Sequence, residues 1–425
     1  MTKSYVTELP LAEPVGDAAP GTPAANSPTP VPELLVDLLS GTYEPRLSPS
    51  QWHHVVAAAI DRNLAPLLFS RLKQNDALAG VPSDEKERLQ RAFLVSVGKS
   101  ARLQRGLAHL LRSLNNHGLP AIVLKGAYLA EAVYGDVALR PMGDVDLLVR
   151  EPDLERAQAV LLEMGGVHRQ YDDSEADPGW RRHLPHTTIG RLVVELHWNI
   201  MSPAGPVRVD VAGLWERACP ASIAGVETLG LAPEDLMLHL CLHTCYEDRL
   251  ADLRGLVDVT ETARRFGGQF DWDRFAARAR EWGAPRYAAL TLHLARAMLG
   301  ADVPDGSLEL LVPAGIDPAV VAAAKQSLLD QTGFGRWLTY FDAARAKTFA
   351  EKARLSWRRV FLSHSEMAAT YPSYRSAVSL PWYYGRRVVD LGWRYVSHSR
   401  RRRRLLRQDG HAPHAALVRW LSGES

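Results

Sequence analysis

Apolar residues first fall into a period at Pro32. LLVDLLSG, and then SPSQWHHVVAAAIDRNLAPLLFSRLKQ, place them at helical spacing, with Ser48 or Ser50 standing where an N-cap belongs. A longer amphipathic run starts near Ser83 and stops at Asn115-Asn116-His117-Gly118, a helix-ending sequence. There the period changes. PAIVLKG, Pro120 to Gly126, predicts a short buried strand, and AYLAEAVYG predicts a helix ending near Gly135. The loop DVALRPMG leads into a second apolar strand, DVDLLVR. EPDLERAQAVLLEMGG is an amphipathic helix that opens on acids and closes on glycines. Residues 166–200 read as strands, VHRQYD, HTTIG and RLVVELHWN, with a turn at Gly190-Arg191. Helices return after about Pro233. PEDLMLHLCLHTCYE is apolar nearly all round and reads as buried, and VDVTETARRF, DWDRFAARAREWG and YAALTLHLARAMLG continue the pattern. From about Val312 the period weakens, though helices are still expected.

These elements predict an α+β fold with a central mixed β-sheet flanked by helical regions. The expected divisions are a disordered leader at 1–31, a helical region at 32–118 and an α/β core at 119–232. A helical region at 233–310 and a helical extension at 311–425 with a basic tail follow. The 425 residues suffice for two or three cores, and 46% hydrophobic with 23% charged residues is ordinary globular composition. A net charge of +2 excludes a polyanion binder by composition. Cys219, Cys241 and Cys245 cannot frame a chain of this size with disulfides, which points to a reducing compartment. MTKSYVTELP has no signal-peptide core, and no window offers the roughly 20 apolar residues of a membrane span. A soluble cytoplasmic protein without a membrane partner is expected.

The chemistry concentrates in LKGAYLAEAVYGDVALRPMGDVDLLV, residues 124–149. On a strand, residues two apart share a face, so Asp144 and Asp146 present two carboxylates side by side. Such charges repel, each raising the other's pKa, and a divalent cation cancels the repulsion. The bland alternative is one capping and one solvated aspartate. Upstream, Lys125-Gly126 ends a strand and opens a helix. A glycine there admits a phosphate to the backbone, the helix N-terminus favours an anion, and Lys125 adds a mobile positive charge. Arg140 could reach the same phosphates, or pair with Asp136 or Glu131 in its loop. Glu195, in the alternating strand VVELHW, is a candidate third acid for two-metal phosphoryl chemistry; otherwise it is an exposed strand glutamate facing an arginine. His197 shares its face, as a substrate contact or a structural histidine.

Strand, glycine, helix, R-P-M-x-D-x-D-L-L-V, then a strand with an acid before His-Trp, resembles the bacterial uncharacterised nucleotidyltransferase family. That family sits within the DNA polymerase beta-like nucleotidyltransferase superfamily. The resemblance is strong over about 119–200, looser over 32–118 and 231–300, and absent at 1–31 and beyond about 310. It implies transfer of a nucleoside monophosphate from an NTP, ATP first among them, to a hydroxyl acceptor on an unidentified small molecule, peptide, protein or RNA end. It further implies Mg2+, or Mn2+, on Asp144, Asp146 and Glu195 as catalytic and metal-binding residues, with Lys125, Gly126 and Arg140 binding nucleotide. The superfamily opens the helix with Gly-Ser or Gly-Gly where this chain has Lys125-Gly126, as the family itself does. Its third acid is commonly Asp, here Glu195. Family members also carry a later Leu-Arg-x-x-x-Asp, here Leu253, Arg254 and Asp258.

Other readings compete. His239, His243 and Glu247 fall at i, i+4 and i+8, a row suited to a metal hydrolase. A zinc-protease helix needs Glu directly after the first His, however, and here that residue is Leu240. Satisfied core histidines are the expectation, with Cys241 and Cys245 as small buried residues. His183 and His186 are a weaker pair. A non-catalytic nucleotide-binding or interaction protein is a further alternative, although all three acids are present. The run Arg400 to Arg404 could meet a nucleic acid, but arginine runs are more often solvated helix faces or disordered ends.

Overall fold

The computed structural model describes residues 30–41, 47–168, 181–203, 205–330, 379–389 and 412–423. The leader up to residue 29, the Arg400–Arg404 run and most of the expected extension lie outside the described residues.

Local chemistry sets the helix ends. α1 (Val31–Ser40) stops at Gly41, whose φ is +79°. α2 (Pro49–Asp61) starts from a full capping box: the Ser48 hydroxyl accepts from Gln51 N–H, and the Gln51 side chain accepts from Ser48 N–H. The periodic run that follows is broken at Asn63, which sits at φ +56° and separates α3 (Ala65–Gln74). α4 (Ser83–Asn116) spans 34 residues.

Seven strands form one mixed sheet in the order β3-β4-β5-β2-β1-β7-β6. The strands are β1 (Ile122–Val123), β2 (Val145–Leu148), β3 (Val167–His168), β4 (Thr187–Ile189), β5 (Leu192–His197), β6 (Cys219–Ile223) and β7 (Val226–Gly230). β1 runs antiparallel to β2 and parallel to β7, and β2 runs parallel to β5. The central strands β1 and β2 are buried at every position, which is why they read as apolar runs rather than alternations. α5 (Lys125–Ala132) leaves β1 and packs on β2, while α4 and α6 (Leu154–Glu163) pack on β5. Gly106 of α4 lies over Leu192: a Cβ there would be 3.5 Å from the leucine methyl.

β6 and β7 have no counterpart in the strand expectations above. They form a hairpin whose two turn residues, Ala224 and Gly225, sit at φ +54° and +67°, the left-handed geometry that matches strand twist. Ala-Gly is a weaker turn signal than Asn-Gly, and Pro220 lies inside the first strand. Beyond β4 the chain keeps company with β5 through a bridge of His183 to His197. Thr187 pairs with Val194, so four steps on one side match three on the other. Pro185, without an N–H, occupies the resulting bulge.

Further helices among the described residues are α7 (Val211–Arg217), α8 (Pro233–Leu242), α9 (Leu253–Phe266), α10 (Trp272–Glu281), α11 (Pro285–Leu299), α12 (Asp305–Leu311), α13 (Pro318–Asp330) and α14 (Ala412–Ser422), the last packed on α13. α1 packs against α11 and α13 as well as α2 and α3, so the helices before and after the sheet share one contiguous apolar core. Among the described residues no helix is long and apolar enough to cross a membrane.

Candidate active site

The site forms where three segments meet at the ends of β1, β2 and β5. β2 and β5 pair in parallel with Asp146 directly opposite Glu195. Alternation along β5 puts His197 on the same face as Glu195. His197 Nε2 lies 2.8 Å from Asp146 Oδ1 and 3.4 Å from Glu195 Oε2. Among the described residues, Asp146, Glu195 and His197 are the group whose ligand atoms all fall within 4.8 Å of one another, close enough to share a metal ion. Asp144 stands exposed just before β2, outside that group.

Lys125 comes in from the first turn of α5, and its Nζ donates to Asp146 Oδ1 at 3.3 Å. Its φ is +42°. A side chain with a Cβ in that region costs on the order of 1–3 kcal/mol, and glycine would relieve it. Gly126, next in the helix, is a packing position: a Cβ there would sit 3.1 Å from Arg140 Nη1 and 3.3 Å from Met142 Cβ.

The charges are strongly coupled. Burial would raise the Asp146 carboxyl, but Lys125 and the hydrogen bond to His197 hold it well below its ordinary value. Glu195 is lowered too: burial opposes this, and the hydrogen bond to His197 outweighs it. Asp144 is raised, first by desolvation and then by repulsion from Asp146 and Glu195. Lys125 is raised in spite of burial, because Asp146, Glu247 and Glu195 surround it.

Arg140 is placed differently from the other nucleotide-site candidates. Its guanidinium grips the buried Asp258 carboxylate of α9 through contacts of 2.7, 2.9 and 3.1 Å, and Tyr134 donates to the same carboxylate at 2.7 Å. It pairs with neither Asp136 nor Glu131, the loop partners considered from sequence. Asp258 is the acid of the Leu-Arg-x-x-x-Asp pattern, whose structural part is thereby visible: it anchors the loop that carries the paired aspartates.

α8 brings a second ion-pair cluster beside the first. The helix opens into a π-turn, His243–Glu247, of the kind frequent at functional sites. Glu247 forms an ion pair with Arg182 at 2.9 Å and lies 2.9 Å from His243 Nδ1. Burial would raise the Glu247 carboxyl, but Arg182, His243 and Lys125 bring it far below the usual range. Among the described residues, the row His239, His243, Glu247 does not bring three ligand atoms within 4.8 Å of one another. His239 is fully buried, and neither ring nitrogen has a partner in the described structure, against the expectation of a satisfied core histidine. Arg182 was invisible as a site residue from sequence, because the segment RRHLPHTT carries no period that would place it.

A mixed sheet crossed by a helix that leaves β1, with acids on its parallel central strands, is an α+β fold of nucleotidyltransferase type. The chain belongs to the uncharacterised nucleotidyltransferase family, which residues 48–300 match. It is also similar to the antibiotic-resistance factor ANT(2'')-Ia in its solution structure, at 17% identity and a TM-score of 0.31. That match covers 46% of this chain and 97% of that one. No curated protein matches the sequence significantly.

Proposed function

We propose that this protein transfers a nucleoside monophosphate from an NTP, ATP first among them, to a hydroxyl acceptor, with the core at 119–232 as its catalytic unit. The observation that carries the reading is the parallel β2–β5 pair, which sets Asp146 against Glu195 beside the Lys125 ammonium. The acceptor oxygen bonds the α-phosphorus, the bond to the β-phosphate oxygen breaks, and pyrophosphate leaves. The donors fit a divalent ion: Asp146 and Glu195 favour the ionised form, and Asp144 gains by neutralisation. Asp144, Asp146 and Glu195 would hold Mg2+ or Mn2+. When bound, the ion would neutralise the triphosphate and polarise its phosphoryl oxygens.

The chain's own residues do the rest. Lys125 offers a flexible point charge to the phosphates as they displace it from Asp146. The first turn of α5 points its free N–H groups at the same place. Glu195 takes the acceptor proton as the new bond forms. Arg140, locked on Asp258, acts by fixing the loop before Asp144 and by its charge near the phosphates. A cytoplasmic location is part of the same reading, since cytosolic NTP and free thiols suit it.

The test is to incubate the protein with each labelled NTP and Mg2+ or Mn2+, against panels of small-molecule, peptide, protein and RNA acceptors. Labelled acceptor and metal-dependent pyrophosphate release are expected. Nucleotide binding that ignores the metal, with no release of pyrophosphate from any NTP, would overturn the proposal in favour of a binding protein.

A further inference from the structure

We infer that His197 is itself a ligand of the divalent ion, so that the inner set is Asp146, Glu195 and His197 and prefers Mn2+ or Zn2+ to Mg2+. The inference rests on the proposed function only in placing an ion at this site.

The first support is spacing. Two neighbouring ligands of an octahedral ion, each about 2.1 Å away, stand about 3 Å apart. His197 Nε2 stands 2.8 Å from Asp146 Oδ1 and 3.4 Å from Glu195 Oε2. The second is register. Asp146 and Glu195 are cross-strand partners, and His197 is two residues along the same strand as Glu195, so three donors project to one point without any loop. Sites built on strands hold such geometry more firmly than sites on loops.

The rival reading is a positioning role, in which Nε2–H donates to Asp146 and merely orients it. Two observations weigh against it. Asp146 Oδ1 already has a cationic donor in Lys125 at 3.3 Å, so the imidazole is not needed to neutralise it. His197 Nδ1 is buried without a hydrogen-bond partner among the described residues, so no second contact holds the ring in the Nε2–H form once an ion takes the place of the proton shared with Asp146. Asp144, exposed and outside the three-donor group, is then left to meet a second ion or the nucleotide.

The chemical consequence is selectivity. Magnesium takes oxygen donors and keeps its waters, whereas imidazole raises affinity along the series from manganese towards zinc. A buried nitrogen donor therefore turns an all-carboxylate site into one for borderline ions.

The experiment uses the full chain and metal alone, without nucleotide. Mn2+ is titrated and followed by electron paramagnetic resonance, and electron spin echo modulation is recorded on the bound ion. A directly coordinated imidazole gives 14N modulation. It is expected in the wild type, to persist in His183→Gln, and to vanish in His197→Gln along with the preference for Zn2+ over Mg2+. Selective 15N-histidine labelling of the wild type should change the modulation pattern, which keeps the test independent of how the variant folds. Bound Mn2+ without 14N modulation, or modulation that survives in a folded His197→Gln protein, overturns this inference and leaves the proposed function standing. No Mn2+ or Zn2+ binding by the wild type overturns the inference and the metal part of the proposed function together.

Discussion

Removing the Lys125 ammonium should move metal affinity and nucleotide affinity in opposite directions. In the metal-free protein the ammonium is the cation of the site, 3.3 Å from a carboxylate that is 5% exposed. Breaking a buried pair costs about 3–5 kcal/mol, and His197, still at 2.8 Å, keeps Lys125→Ala near the lower end. An ion entering the variant meets carboxylates with no resident cation to displace. If most of the lost energy returns on binding, about 3 kcal/mol becomes on the order of a hundred-fold tighter Mg2+ or Mn2+ binding. NTP loses a charge-assisted contact worth about 1.5–3 kcal/mol and should bind about ten- to a hundred-fold more weakly at saturating metal. Lys125→Gly provides the control. It removes the same charge but relieves the backbone at φ +42°, and should be about 1 kcal/mol more stable than Lys125→Ala. Calorimetric titration of metal alone, then of NTP with saturating metal, separates the two effects, and denaturant unfolding reports the stabilities. Metal affinity that is unchanged or weaker in Lys125→Ala would refute the reasoning, because the ammonium would then not be holding the cation's place.

Three further outcomes are expected. Asp144→Asn should raise the melting temperature of the metal-free protein slightly, since it removes a carboxylate already destabilised by desolvation and by Asp146 and Glu195, while abolishing metal-dependent pyrophosphate release. Glu247→Gln should lower stability at neutral pH. Because the folded protein holds this carboxyl far below its ordinary 4.5, its contribution is present above that value and fades as pH falls below it. Unfolding curves of the two proteins should therefore converge towards acid. Asp258→Ala strands Arg140 and Tyr134 without their buried partner and should cost about 3–5 kcal/mol in urea unfolding, with Arg140→Ala and Asp258→Ala far from additive in a double-mutant cycle.

What the sequence made legible was what local periodicity encodes. Alternation along VVELHW is enough to align Glu195 with His197, because a strand's side chains repeat every two residues whatever surrounds it, whereas Asp144, read onto the same strand face as Asp146, stands exposed just before β2. The pairing of Asp146 with Glu195 across two strands is a property of the sheet, not of either strand, and needed the structure. The β6–β7 hairpin escaped because its turn is Ala-Gly and its first strand contains a proline. The row at His239, His243 and Glu247 assumed one uniform helix; α8 ends at Leu242, and the π-turn after it keeps His243 against Glu247 while His239 stays fully buried in α8. Arg140 was matched with acids near it in sequence, while its partner lay on α9. No local pattern reports a contact over that separation.

That separation has a consequence for how the protein is made. Arg140 and Asp258 are 118 residues apart, and the ribosome adds about 5–20 residues per second. A nascent chain therefore carries the Arg140 loop for on the order of ten seconds before the carboxylate that locks it has been synthesised. During that interval β1, β2 and β5 are available to pair, but the guanidinium meant for the interior has only water or the wrong acid to bind. Translation speed across α6 to α9, including any pause there, thus bears on whether the loop is captured by its proper partner or by a competitor.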